Sequence, residues 1–171
     1  KSFRESSASP ARRPEVSDDD AEVHPVTPAV DNKRLVYVLA SPEDKTIEKA
    51  ALRQLGQLKP RGVVVRSRHD CLAGIDHQSF GARSIQQAGA VVVLVTSDLL
   101  ADPDMMDLAQ QAMALGKCIP IYARPCMYES SPFAGKVCIP ASHANALSAM
   151  SDQDSVWQII VQCVSRKVGP S

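Results

Sequence analysis

The run AVVVLVTS at residues 90–97 limits what the chain can fold into more than any other segment. It is apolar without a helical period and rich in β-branched residues, so it reads as a strand. A strand with one wet face would alternate apolar and polar residues; this one does not, so both its faces are buried. LVYVLA at 35–40 repeats the pattern, and VVV at 63–65 and CIPIYA at 118–123 are shorter versions of it. Pro120 inside the last of these predicts a bend or a place near a sheet edge. A short strand at Val137–Ile139 completes a set of five. Strands buried on both faces need helices above and below them, which is a parallel sheet in an α/β protein.

The segments between the strands supply those helices. After the first strand, SPEDK places Ser41 as an N-cap, Pro42 at the first helical position and Asp44 in the first turn. That helix is predicted to run to about Leu58, burying Ile47, Ala50, Ala51, Leu55 and Leu58. Residues 66–78 hold a central Gly74 and read as a loop, followed by a helix from about Asp76 to Ala88. The stretch 97–117 reads as one helix with Asp98, Asp102, Asp104 and Asp107 in its first half and Gly116 at its close. A last helix from about Asp152 to Lys167 is predicted to bury Val156, Ile159, Ile160, Cys163 and Val164. The expected architecture is a flavodoxin-like three-layer sandwich, a five-stranded parallel sheet with helices on both faces. In such a fold a ligand sits at the carboxyl ends of the strands, where the strand order reverses. The candidate loops are therefore 40–44, 66–77, 96–104 and 124–133.

Composition narrows the classes further. Residues 1–32 are rich in Ser, Pro and charge with no apolar period, and read as a disordered tail or linker ahead of a domain at 33–168. Lys and Arg number 19 and Asp and Glu 19, so no global field draws the chain to nucleic acid or a membrane surface. No apolar run approaches the roughly 18 residues of a membrane span. Cys71, Cys118, Cys126, Cys138 and Cys163 are odd in number and form no C-x-x-C pair, which points to reduced thiols in the cytoplasm and to no metal site. SPEDK lacks the glycines of a dinucleotide fingerprint or a P-loop. Ala40-Ser41 and Thr96-Ser97 stand where a phospho-accepting receiver domain needs acids. His69 and His77, near Asp70 and Asp76, fit neither a triad nor a metal-ligand spacing and read as exposed loop residues.

Taken together, four stretches resemble one family. LVYVLASPEDK looks like the first strand and S-x-x-D box of a TIR domain; RHDCLAGIDHQSFGARSIQQAGAVVVLVTSDLL resembles the loop, helix, strand and closing Ser that follow. IPIYARPCMYESSPFAGKVCIP is close to the bacterial I-P-V-I-x-R-P-C-x-W-x-x-x-P-F pattern, and DQDSVWQII fits the late Trp helix. The resemblance covers Lys33 to about Lys167. It implies a signalling domain that acts by self-association with other TIR domains, head to tail, in immune or anti-phage defence. A further domain is expected upstream of residue 1. The family also includes enzymes that cleave nicotinamide from NAD⁺ once assembled, so NAD⁺ is implied as substrate or ligand, with no other cofactor required.

The resemblance assigns roles residue by residue. Ser41, Asp44, Asp70 and Ser97 are the implied nucleotide-binding positions, and Cys71, Leu72, Ala73, Gly74 and Ile75 the implied assembly loop. The family's catalytic Glu falls at Ala109 when aligned forward from Ser97, and at Leu108 when aligned backward from Gly116-Lys117. Both positions are apolar, which favours an assembly module in which that acid is missing. The alternative is an NAD⁺ glycohydrolase using Asp107 or an acid from a neighbouring chain.

Overall fold

The computed structural model describes residues 32–140 and 145–169, so the predicted tail lies outside the described residues apart from Asn32. Strands β1 (Leu35–Leu39), β2 (Val64–Ser67), β3 (Ala90–Val95) and β4 (Cys118–Tyr122) form one parallel sheet in the order β2-β1-β3-β4. The sheet thus has four strands rather than the five expected. Val137–Ile139 contributes a single parallel bridge, Ile121 to Ile139. Val137 is 86% exposed, and Pro140 follows with no N–H to extend a ladder.

Both faces of β1 and β3 are covered, which explains their continuous apolar runs. Val36 and Val38 of β1 and Val92 and Leu94 of β3 face one core; Leu35, Tyr37 and Leu39 of β1 and Val91, Val93 and Val95 of β3 face the other. The first core is closed by helices α1 (Lys45–Leu55) and α5 (Gln153–Lys167). The second is closed by α2 (His77–Gln87), α3 (Ser97–Ala101) and α4 (Pro103–Ala114).

Several helix boundaries differ from expectation for local reasons. Residues 41–44 form a turn, with the Asp44 N–H donating to the Ser41 carbonyl, so α1 starts at Lys45. A 3-10 turn over Gly56–Arg61 carries the chain onward to Gly62, whose φ of 80° is the left-handed conformation glycine tolerates. The stretch expected as one helix is two. Asp102, at φ −98° and ψ 110°, leaves the helical region, and its carboxylate accepts the N–H groups of Asp104 and Met105. Pro103 follows in the first helical position, where its missing N–H costs nothing. On α5 the buried face is rotated: Trp157 and Val161 are buried while Ile159 is 51% exposed.

The entry to β3 depends on a close backbone approach. Gly89 donates its N–H to the Leu35 carbonyl at 2.8 Å, and a Cβ there would lie 2.1 Å from the Lys33 carbonyl oxygen. Gly89→Ala is expected to lower unfolding free energy by about 1–3 kcal/mol through forced backbone displacement. Urea denaturation checks this; an unchanged midpoint would show that the two segments are not held together there.

Candidate functional site

The chain leaves β1 for β2 on one side and returns at β3 on the other, so strand order reverses between β1 and β3. At the carboxyl ends of these strands, three connections converge on one carboxylate. Asp44 is wholly buried. Its Oδ2 accepts a hydrogen bond from the hydroxyl of Thr96, just after β3, and its Oδ1 lies 3.5 Å from Nη1 of Arg124, just after β4. The Thr96 Oγ1 also accepts the Leu99 N–H at 3.1 Å and so caps α3. Ser41 is buried beside them, its Oγ accepting the Glu43 N–H at 3.3 Å.

One helical turn beyond Asp44 stands a second buried acid. Glu48 is 1% exposed, and its Oε1 lies 3.3 Å from Nε2 of His69. Burial raises the Glu48 carboxyl above its ordinary 4.5, His69 and Arg68 pull it part of the way back, and Asp44 adds to the rise. The Tyr37 hydroxyl is pushed up to about 12, by burial first and then by the Glu48 charge, so it is a neutral donor at any physiological pH.

Next to this cluster a cleft of about 250 Å³ opens between the end of β1, Arg68, and the first turns of α2 and α4. Tyr37, Leu39 and Leu108 supply wall, and Arg68, His77, Gln78, Asp76, Asp102 and Asp104 bring polar groups to it. Gly81 makes room for Leu108: a Cβ on Gly81 would meet the Leu108 Cδ1 at 2.8 Å. Two of the acids serve as helix caps. Asp76 accepts from the Ser79 hydroxyl and from the N–H groups of Ser79 and Gln78, which hold its carboxyl below the usual range. Asp102 caps α4 as described above.

Beside the cleft runs the loop from β2 to α2. Its base is a 3-10 turn, Arg68–Asp70, closed by a capping box: Asp70 accepts the Ser67 N–H at 2.8 Å and Ser67 Oγ accepts the His69 N–H at 3.3 Å. Its tip carries exposed apolar side chains, Leu72 at 71% and Ile75 at 40% exposure, on either side of Ala73 and Gly74. Gly74 has φ 85°, and a Cβ added there would meet no atom within 4 Å, so conformation rather than space selects glycine. Cys71 is half-buried, its thiol directed at the Ile75 carbonyl at 3.4 Å.

The two candidate positions for the family's acid are thereby separated. Leu108 and Ala109 are both buried in the core on the α2, α3 side of the sheet, but Leu108, 1% exposed, also borders the cleft, and Ala109 does not. Asp107 is exposed and outside the lining, accepting from Gln78 Nε2 at 3.2 Å and Gln111 Nε2 at 3.0 Å. Of the implied nucleotide-binding residues, Ser41, Asp44, Asp70 and Ser97, none lines the cleft. Ser97 is exposed at the start of α3, and Thr96 is the capping residue. Tyr37, Arg68 and Gln78 line the cleft although the sequence assigns them no role, whereas Arg124 of the buried cluster is the Arg of the R-P-C pattern, a signal that marks the position without its role. Glu48 had a readable signal, since it follows Asp44 by four residues and so shares its helix face. Among the described residues no group of His, Cys, Asp and Glu side chains could hold a metal ion, and no helix is long and apolar enough to cross a membrane.

Neither a family profile nor a curated protein matches this sequence. A solved structure does. The crystal structure of the TIR domain of the Toll-related receptor TRR-2 from Hydra magnipapillata aligns with a TM-score of 0.56 at 17% identity, covering 75% of this chain and 96% of that one. The chain therefore has the fold of a TIR domain.

The raised Glu48 carboxyl has a consequence for stability. Unfolded, Glu48 loses its proton near 4.5; folded, it holds it to higher pH, so its ionisation weakens the fold as pH rises above 4.5. Glu48→Gln is expected to gain stability relative to the parent chain progressively as pH rises from 4.5 toward neutrality. Urea titrations of both proteins across that window check the sign; a difference that shrinks with pH would contradict it.

Proposed function

We propose that this chain is a TIR-type signalling module of the bacterial kind, acting in the cytoplasm by self-association in immune or anti-phage signalling. Its cleft takes a nucleotide such as NAD⁺ as ligand rather than as substrate. The observation that carries this reading is Leu108. Loss of nicotinamide builds positive charge on the ribose, which a nearby carboxylate would stabilise. Leu108, almost wholly buried, borders the cleft with an apolar side chain instead; of the three acids in the lining, Asp76 and Asp102 are engaged as caps and Asp104 stands in the first turn of α4, where the helix dipole favours it.

The loop tip supports assembly. Leu72 and Ile75 stand exposed on a loop whose base is fixed by Asp70, Ser67 and the His69–Glu48 contact. Burying an apolar side chain of that size is worth about 1.5–3 kcal/mol. A second copy of the chain is the partner that head-to-tail assembly requires. One observation favours a second reading, cleavage of NAD⁺ with Asp107: its carboxylate is held by Gln78, which lines the cleft.

Sedimentation velocity over a concentration series tests the assembly. The parent chain is expected to associate, and Leu72→Asp and Gly74→Asp each to return it to monomer with far-UV circular dichroism unchanged. Gly74→Asp acts by placing a charge and a β-carbon at a left-handed position, a strain of about 1–2 kcal/mol. Association that survives both substitutions would exclude this loop as the contact.

A further inference from the structure

The chain's zero net charge hides a segregation. From Lys49 to His69 there is no acid, while Lys49, Arg53, Lys59, Arg61, Arg66 and Arg68 fall within it; after Asp154 no acid follows to the end of the chain. The fold brings these two acid-free segments together, because the 3-10 turn at Gly56–Arg61 packs against α5. Between them lies a recess of about 430 Å³. It sits at the amino ends of the strands, just before β2 begins, at the opposite pole from the cleft beside Leu108.

Its lining is suited to an anion. Arg61 and Arg166 supply guanidinium groups, Gln57, Gln158 and Gln162 carboxamides, and Ser165 a hydroxyl; no carboxylate lines it. Among the described residues neither guanidinium has a carboxylate within salt-bridge distance. The walls are already braced. Arg61 Nη1 donates to Ser165 Oγ at 3.4 Å, and Gln158 Nε2 to Gln57 Oε1 at 3.5 Å. Arg34 adds a third guanidinium beside the recess by donating to the Arg61 carbonyl at 3.0 Å. Arg166 in the last turn of α5 also offsets that helix's dipole, but Arg61 and Arg34 belong to no α-helix and have no such role.

We propose that this recess is a second binding site, for a small soluble anion bearing one or two phosphate groups. Guanidinium forks pair with phosphate oxygens in a bidentate manner, and neutral amides and a hydroxyl complete the donor set. A nucleic acid strand fits less well, since no aromatic side chain among the described residues is exposed for a base to stack on. A membrane headgroup also fits less well, because the apolar lining residues Leu58 and Val161 are buried and offer nothing to insert.

Titration of the full chain with inorganic pyrophosphate, at constant ionic strength and read by amide chemical shifts, tests the site. The expected result is saturable binding with shifts centred on residues 57–62 and 158–166. Arg61→Gln and Arg166→Gln are each expected to weaken it by about tenfold or more, the loss of a charge-assisted pair, with the urea midpoint retained. Shifts that track ionic strength alone, shifts centred on the Leu108 cleft, or equal binding by an Arg61→Gln/Arg166→Gln double variant would each overturn the proposal. None of these readouts depends on self-association or on the Leu108 cleft.

Discussion

The carboxylate of Asp44 is the point on which the arrangement at the strand ends depends. It is removed from water, and a buried charge is tolerated only where partners meet it. The partners come from different elements: the Thr96 hydroxyl follows β3 and the Arg124 guanidinium follows β4. One side chain from the turn after β1 therefore ties together the ends of three strands. Thr96 extends the same network into α3 by accepting the Leu99 N–H. Replacing any one of these groups leaves a buried polar atom without its partner, so the cluster fixes the outline of the strand ends.

The cleft is built outward from that fixed point. The end of β1 gives Tyr37 and Leu39, and the caps Asp76 and Asp102 set where α2 and α4 begin. Gly81 lets α4 approach α2 closely enough for Leu108 to become wall. His69 reaches from the base of the neighbouring loop to Glu48, so the loop that carries Leu72 and Ile75 is anchored to α1. Cleft and loop thus meet at Arg68, which lines the cleft and opens the 3-10 turn at the loop's base.

Much of the fold is legible in the sequence because β1 and β3 are buried on both faces, and a short, continuous run of β-branched residues fits little else than a central parallel strand. The fifth strand is not legible in the same way, since Val137-Cys138-Ile139 has strand composition but is followed by Pro140, and only Ile139 pairs. The break at Asp102-Pro103 carries its signal openly, an N-cap acid before a first-position proline, yet apolar spacing on either side suggests one helix. On α5 the phase escapes the sequence because Ile159 and Trp157 are both large and apolar, and only packing distinguishes them. Of the two positions for the family's acid, counting back from Gly116-Lys117 leads to the cleft, because α4 is unbroken over that span. Counting forward from Ser97 crosses the break after α3 and leads into the core at Ala109. Ser41 and Asp44 stand out as a motif, but a motif's polarity does not say whether its groups face a ligand or each other; here Asp44 faces Thr96 and Arg124.

The central claim is that Leu108 stands at the cleft where cleavage of NAD⁺ needs a carboxylate, and that Asp76, Asp102 and Asp104 at the helix starts do not replace it. Incubating the assembled chain with NAD⁺ and following nicotinamide by chromatography measures it directly. The account predicts no release above the rate without protein, with Asp107→Ala indistinguishable from the parent chain. Nicotinamide release that is lost in Asp107→Ala would contradict it and make this chain an enzyme.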